Sequence, residues 1–71
     1  MYKWKDLHTH LLANNVVVHF HDKGDKAFAH VPNPAGGPPL ASETIHLHGK
    51  GEFEKQQVDK ICSNLSIPKM Q

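Results

Sequence analysis

The chain of 71 residues has eight Lys or Arg, seven Asp or Glu and seven His, and its formal net charge is +1 with neutral histidines. A domain of this size buries only about 60% of the surface that its unfolded chain exposes, so the length predicts a single domain over residues 1–71 and argues against a deep catalytic cleft. The only cysteine, Cys62, excludes a fold held by disulfides and favours a reducing compartment, which we expect to be the cytoplasm.

The sequence predicts a soluble protein with no membrane partner. No segment approaches the roughly 20 consecutive apolar residues of a membrane helix, and the first residues lack the order of a signal peptide. The net charge is a weak electrostatic signal for a nucleic-acid-binding protein, although partial protonation of the histidines would increase it. The seven histidines are the unusual feature of the composition, and a functional interpretation must account for them.

The first predicted element is an amphipathic helix of about three turns. Its predicted face is formed by residues spaced three, four and one apart, namely Trp4, Leu7, His8, Leu11 and Leu12. Asn14 and Asn15 should end this helix, because asparagine tolerates the left-handed backbone conformation that follows many helix ends.

A β-hairpin is predicted next. Residues 16–21 read Val-Val-Val-His-Phe-His, a β-branched and aromatic run that favours a strand. A turn at residues 22–25 contains Gly24, which supplies the positive φ of tight connections, and a second strand follows over residues 26–31. The two strands should pair antiparallel.

A loop, a third strand and a second helix complete the chain. Residues 32–39 contain four prolines and two glycines, which prevent regular structure. The third strand covers residues 43–48 and ends at a glycine-rich turn. The last helix is the clearest element, because Val58, Ile61, Cys62 and Leu65 follow the i, i+3, i+4, i+7 spacing of one helical face.

The order predicts an α+β fold of the type αβββα, with a three-stranded antiparallel sheet and both helices packed on one of its faces. Strand alternation then assigns the side chains to two faces. Those that should point at the helices are Val16, Val18, Phe20, Phe28, Ile45 and Leu47, with His30 on the helix side or the rim. Those that should lie on the opposite, open face are His19, His21, Ala27, His46 and His48.

The pattern leaves several chemical interpretations open. His19/His21 and His46/His48 are His-x-His pairs on predicted strands, where two imidazoles project to one side as a transition-metal site requires. A polar, solvated sheet face is the other interpretation of these histidines, and it is favoured because structural zinc sites usually have tighter ligand spacing or cysteines. Lys23, Lys26 and Lys50 should flank the open face as point charges for a nucleic-acid backbone. Cys62 lies on the apolar helix face and is expected to be a buried, unreactive thiol.

The carboxyl-terminal half resembles the HicA family of bacterial toxins, which have a double-stranded-RNA-binding-domain-like αβββα fold and cleave mRNA. The resemblance rests on residues 44–53 and on the helix pattern after them, formed by Val58, Ile61, Cys62, Leu65 and Ile67. Residues 5–15 resemble the opening helix of the family, and residues 23–25, Lys-Gly-Asp, resemble its Lys-Gly-Ser turn.

In the HicA family the catalytic histidine follows this turn in a Gly-Ser-x-His or Gly-Ser-His-His pattern. The matching residues here are Gly24, Asp25, Lys26 and Ala27. Neither candidate position holds histidine, and the resemblance places the missing general base at Ala27. We favour a His-to-Ala replacement that silences a toxic nuclease. The alternative is a natural member that binds RNA without cleaving it or uses another histidine.

The resemblance also implies roles for the surrounding residues. A histidine at position 27 would take a proton from a ribose 2′-hydroxyl, and His48 or His21 would act as the acid or position the phosphate. The RNA-binding residues would be the lysines, which stabilise negative charge, and the remaining open-face histidines, namely Lys23, Lys26, Lys50, His19 and His46.

The resemblance therefore implies a type II toxin, an mRNA interferase without a cofactor, in an inactive form. Its expected partners are mRNA and a HicB-type antitoxin that covers the catalytic face, and no direct contact with DNA is expected. Two other interpretations stay open: a non-catalytic RNA-binding or regulatory module, and a small metal-binding protein built on the histidine face.

Overall fold

The computed structural model describes residues 1–21, 23–47 and 51–70. Its elements in chain order are β1 (Tyr2–Lys3), α1 (Trp4–Ala13), β2 (Val17–Phe20), β3 (Lys26–Val31), β4 (Ala41–His46), β5 (Glu52–Phe53) and α2 (Lys55–Asn64). Strands β2, β3 and β4 form an antiparallel sheet in that order, and β1 pairs with β5 in a separate two-stranded sheet. The predicted α+β class with two helices and a three-stranded antiparallel sheet is confirmed, whereas the small second sheet was not predicted.

Helix α1 ends where the asparagine pair predicts. Asn15 has a φ of 63°, and its backbone N–H donates to the carbonyl of Leu12 at 3.1 Å. The N–H of Val16 donates to the carbonyl of Leu11 at 3.0 Å. These two bonds form a Schellman motif, which satisfies carbonyls that the end of the helix would otherwise leave unpaired.

Helix α2 begins with a capping box. The side chain of Gln57 accepts the backbone N–H of Glu54 at 2.8 Å, and the Glu54 side chain accepts the N–H of Gln57 in return. Two of the unpaired N–H groups at the helix start are thereby satisfied. At the other end Ser66 has a φ of 57°, and the N–H of Ile67 bonds back to Cys62, so the polypeptide turns away from the helix axis.

Both helices cover the same face of the three-stranded sheet, as predicted. One cluster of buried side chains joins the two layers and consists of Leu7, Leu11, Val16, Ala27, Ala29, Ile45, Phe53, Val58, Ile61, Cys62 and Leu65. Burial of apolar surface in this cluster is the main stabilising contribution of the fold. Because Ala27 and Ala29 are small, the sheet offers little volume of its own, and the helices supply the large side chains.

The small sheet fixes the amino terminus beside the start of α2. Tyr2 pairs with Phe53, and the N–H of Trp4 donates to the carbonyl of Gly51 at 2.6 Å. Gly51 has a φ of +68°, and a Cβ atom at this residue would lie 3.4 Å from the Trp4 Cβ. Glycine is therefore favoured both by the backbone conformation and by the close approach of the tryptophan.

The tail after α2 is held against α1. The imidazole Nε2 of His10 donates to the carbonyl of Pro68 at 2.6 Å, and Ile67 and Met70 pack against the core. Neither helix among the described residues is long and apolar enough to span a membrane.

Candidate nucleic-acid interface

The face of the three-stranded sheet that lies away from the helices, called the open face below, is defined by the strand register. His19 pairs with Phe28, and Phe28 pairs with Thr44. Directly paired residues project to the same side, and alternate residues along each strand do too. The described side chains of the open face are therefore Val17, His19, His21, Lys26, Phe28, His30, Ser42, Thr44 and His46.

The structure corrects the predicted faces of β3. Ala27, expected on the open face, is fully buried on the helix side. Phe28, expected to point at the helices, is 41% exposed on the open face, and His30 lies beside it instead of on the helix side or the rim. The reason is that burying Phe28 would also bury Lys26 and His30, which costs free energy when polar groups leave water.

The HicA pattern has its catalytic histidine at a position that matches either Lys26 or Ala27. The corrected faces exchange which of these two residues lies on the open face. Ala27 pairs with Ile45 inside the core, so a histidine there would face the helices and would not reach a bound RNA strand. Lys26, which pairs with His46, lies on the open face. The exposed position of the pattern is thus occupied by a lysine.

Three of the predicted histidines, His19, His21 and His46, do share the open face, and two of them contact neighbouring rings. His19 stacks on His30 with ring centroids 5.6 Å apart and planes 11° apart. His21 meets Phe28 edge to face at 6.2 Å. His46 is exposed on β4, across Lys26 from His21, and the predicted site residues His48 and Lys50 lie outside the described residues.

His21 also has two polar neighbours in the turn before β3. Its Nδ1 atom accepts the backbone N–H of Lys23 at 3.3 Å, and it lies 3.4 Å from a carboxylate oxygen of Asp25. The first contact uses an unprotonated Nδ1 and the second a protonated one. Lys23 itself is exposed in this turn, at the edge of the open face.

The charges of the sheet are separated by face. None of the nine open-face side chains named above is a carboxylate. Glu43, the one acidic residue of β2, β3 and β4, belongs to the helix side, where its carboxylate accepts a hydrogen bond from the Asn64 side chain at 2.5 Å. The open face therefore attracts anions whenever Lys26 and any protonated imidazole are present.

A cavity of about 440 Å³ opens on the open face between β3 and β4. Phe28 and Thr44 form one side, His30 and Ser42 the other, and the strand backbones form the floor. Pro39 closes one end. Sequence reasoning missed these residues because it assigned β3 the wrong faces, although the apolar alternation Ala27, Ala29, Val31 was a signal for the correct assignment.

Pro39 is placed by a compact loop. The Asn33 side chain accepts the N–H of Ala35 at 3.0 Å and donates to the carbonyl of Pro38 at 3.2 Å. Gly36 and Gly37 have φ values of 82° and 86°, which only glycine adopts readily. The proline-rich loop is thus a defined wall beside the cavity.

The remaining described histidines belong to the helix side. His8 stacks on Trp4 with ring centroids 5.1 Å apart, and His10 holds the carboxyl-terminal tail through Pro68. No group of three or more His, Cys, Asp or Glu residues within 1–21, 23–47 and 51–70 is arranged to hold a metal ion.

The one thiol of the sequence, that of Cys62, is also enclosed. Cys62 is fully buried, and burial raises the pKa of its thiol above the ordinary value. The protonated form is a poor nucleophile, so this residue contributes to packing instead of to the chemistry of the open face.

Comparison with protein-family models, with curated proteins and with solved structures gave no match for this chain.

Proposed function

We propose that this protein is an RNA-binding domain of the HicA type, with a double-stranded-RNA-binding-domain-like fold, and that it binds single-stranded mRNA on the open face. The observation that supports the proposal is the composition of this face, which gathers Lys26, the imidazoles of β2, β3 and β4, and an exposed phenylalanine without a carboxylate. A flat sheet with basic and aromatic side chains suits an unpaired strand, whose phosphates and bases are both accessible.

The choice of RNA over DNA follows from the resemblance to the HicA family. The open face is consistent with it, because Ser42 and Thr44 offer hydroxyl groups that can donate to or accept from a ribose 2′-hydroxyl. Lys23 and Lys26 would contact phosphates, which position the strand without reading its sequence.

Binding to a fluorescently labelled short RNA, measured by anisotropy, tests the proposal. We expect Lys26→Glu to weaken binding about tenfold, since it replaces an attractive charge by a repulsive one on the open face. The matched control is Lys5→Glu, which makes the same charge change on an exposed residue of α1 and should alter the affinity less than about twofold.

Equal losses in the two variants would show that only net charge matters and would contradict the assignment to the open face. If the unaltered chain does not bind RNA at low salt, the function itself is wrong.

An mRNA interferase activity is the second candidate function. The observation that favours it is the row of imidazoles on the open face, since histidine is the most frequent general acid or base near neutral pH. His21 is the best placed of these, because its Nδ1 has a neighbour in either protonation state, the Lys23 N–H when it is unprotonated and the Asp25 carboxylate when it is protonated. We expect any cleavage of RNA by the unaltered chain to be lost in His21→Ala and retained in His8→Ala, whose imidazole lies on the helix side.

A HicB-type antitoxin is the protein partner that this proposal implies. Such a protein would cover the open face and compete with RNA for it. Competition between the two ligands, and weaker antitoxin binding by Lys26→Glu than by Lys5→Glu, are the expected results. Simultaneous binding of both ligands would place the antitoxin elsewhere.

A further inference from the structure

The cavity between β3 and β4 has the spacing of a slot for a planar ring. Phe28 and His30 are two residues apart on one strand, so their side chains leave the sheet about 6.7 Å apart. Two van der Waals contacts of about 3.5 Å each, one on either side of a flat ring, add up to nearly the same distance. A single aromatic ring can therefore enter between the two side chains.

The rings on either side are supported by their neighbours. His19 stacks on His30, and His21 contacts Phe28 edge to face. These contacts reduce the conformational freedom that the two walls would lose when a ligand enters. The slot is thus organised before binding.

The far side of the cavity supplies polar groups. Ser42 and Thr44 line it from β4, and each hydroxyl can both donate and accept a hydrogen bond. Pro39 gives an apolar end wall. A volume of about 440 Å³ lies within the usual range of small-molecule sites, about 300–1,000 Å³.

We propose that this cavity is a subsite for one unpaired nucleobase, which stacks between Phe28 and His30 while Ser42 and Thr44 hydrogen-bond to its edge. This inference rests on the proposed RNA-binding function and adds to it a specific contact to a base. Lys26 is the next open-face residue on the same strand, so it reaches the phosphate of the nucleotide whose base fills the cavity.

The experiment compares a short oligoadenylate with an abasic ribose-phosphate chain of the same length. We expect the abasic chain to bind about tenfold more weakly, because it keeps the phosphates and loses the stacked base. Phe28→Leu should reduce the affinity for oligoadenylate by a similar factor and leave the affinity for the abasic chain unchanged. The matched control is Phe20→Leu, which alters another exposed phenylalanine, on the opposite face, and should change neither affinity.

A second measurement tests the cavity without an RNA strand. Adenosine monophosphate, titrated at millimolar concentration, should give saturable NMR shifts at the amides of residues 28–30 and 42–44, and ribose 5-phosphate should not. The same titration on Phe28→Leu should lose these shifts while its other resonances stay in place, which shows that the variant is folded.

The outcomes separate the two proposals. If the oligoadenylate and the abasic chain bind equally and Phe28→Leu has no effect, RNA binding stands and the nucleobase subsite is overturned. If neither strand binds, the RNA-binding function is wrong, and the nucleotide titration decides whether the cavity takes a base independently. Shifts spread over both faces would overturn the subsite as well.

Discussion

Two aromatic clusters lie on opposite sides of the sheet and differ in the contacts that their rings make within the chain. The closed cluster, on the helix side, consists of Trp4, His8, Phe20 and Phe53. The open cluster consists of His19, His21, Phe28 and His30. Each contains an exposed phenylalanine, 52% for Phe20 and 41% for Phe28, so exposure alone does not distinguish them.

The difference lies in what surrounds each ring. Phe20 lies nearly perpendicular to Trp4 at 6.0 Å and to His8 at 5.4 Å, measured between ring centroids, so its ring contacts lie within the chain. Within residues 1–21, 23–47 and 51–70, Phe28 has one ring partner, His21, and its other side borders the cavity. The closed cluster therefore contributes to the packing of the fold, and the open cluster borders the cavity for which we propose a nucleobase.

The largest expected loss of stability comes from a substitution in the core, on the helix side of the sheet. Ala27→His places an imidazole in a fully packed site and should lower the free energy of unfolding by about 3 kcal/mol, through overpacking and burial of a polar ring. Urea denaturation measures this. Lys26→His, the matched change on the open face, should alter stability by less than about 1 kcal/mol. An Ala27→His protein as stable as the parent would contradict the assignment of faces.

A smaller loss of stability is expected from substitutions in the two aromatic clusters, and it should differ between them. Trp4→Ala removes a ring that touches three others and should cost about 2–3 kcal/mol of stability. Phe28→Ala should cost about 1 kcal/mol, since it loses one ring contact and little buried area. Thermal unfolding compares the two variants, and equal losses would show that the open cluster is structural too.

The smallest expected effect is the contribution of the buried Cys62 thiol to the pH dependence of stability. Because burial raises the pKa of Cys62, the unfolded chain loses the thiol proton at a lower pH than the folded chain. Stability should therefore fall as the pH rises above the ordinary thiol pKa of about 8.5. Urea denaturation at a series of pH values measures this slope. Cys62→Ala should flatten it above the ordinary thiol pKa, and an unchanged slope would assign the dependence to another group.

Much of the fold could be predicted because the signals are local. The helix spacing around Leu7 and Leu11, the asparagine stop at Asn15 and the valine-rich strand each depend on residues near in sequence. The small sheet of β1 and β5 could not be predicted in this way. It pairs two-residue segments some 50 positions apart, and such short segments have no periodicity of their own.

The candidate site was predicted in part. Alternation in β2 and β4 placed His19, His21 and His46 together, because β-branched and aliphatic residues mark the inner face of those strands. In β3 the bulk of Phe28 suggested burial, but the register with Ile45 and the helices leaves room there only for alanine. The cavity and the roles of Ser42, Thr44 and Pro39 depend on contacts between strands and were not accessible from the pattern.

The sequence by itself determined that the chain has two helices and three longer strands, where α1 ends, and that histidines gather on one surface, since these follow from local propensity and alternation. Only the tertiary structure decided which face of β3 is buried. That choice depends on how much apolar surface the six residues of β3, which alternate between the two faces, bury against both helices. It places Ala27 in the core and leaves Lys26, Phe28 and His30 on the face where we propose that RNA binds.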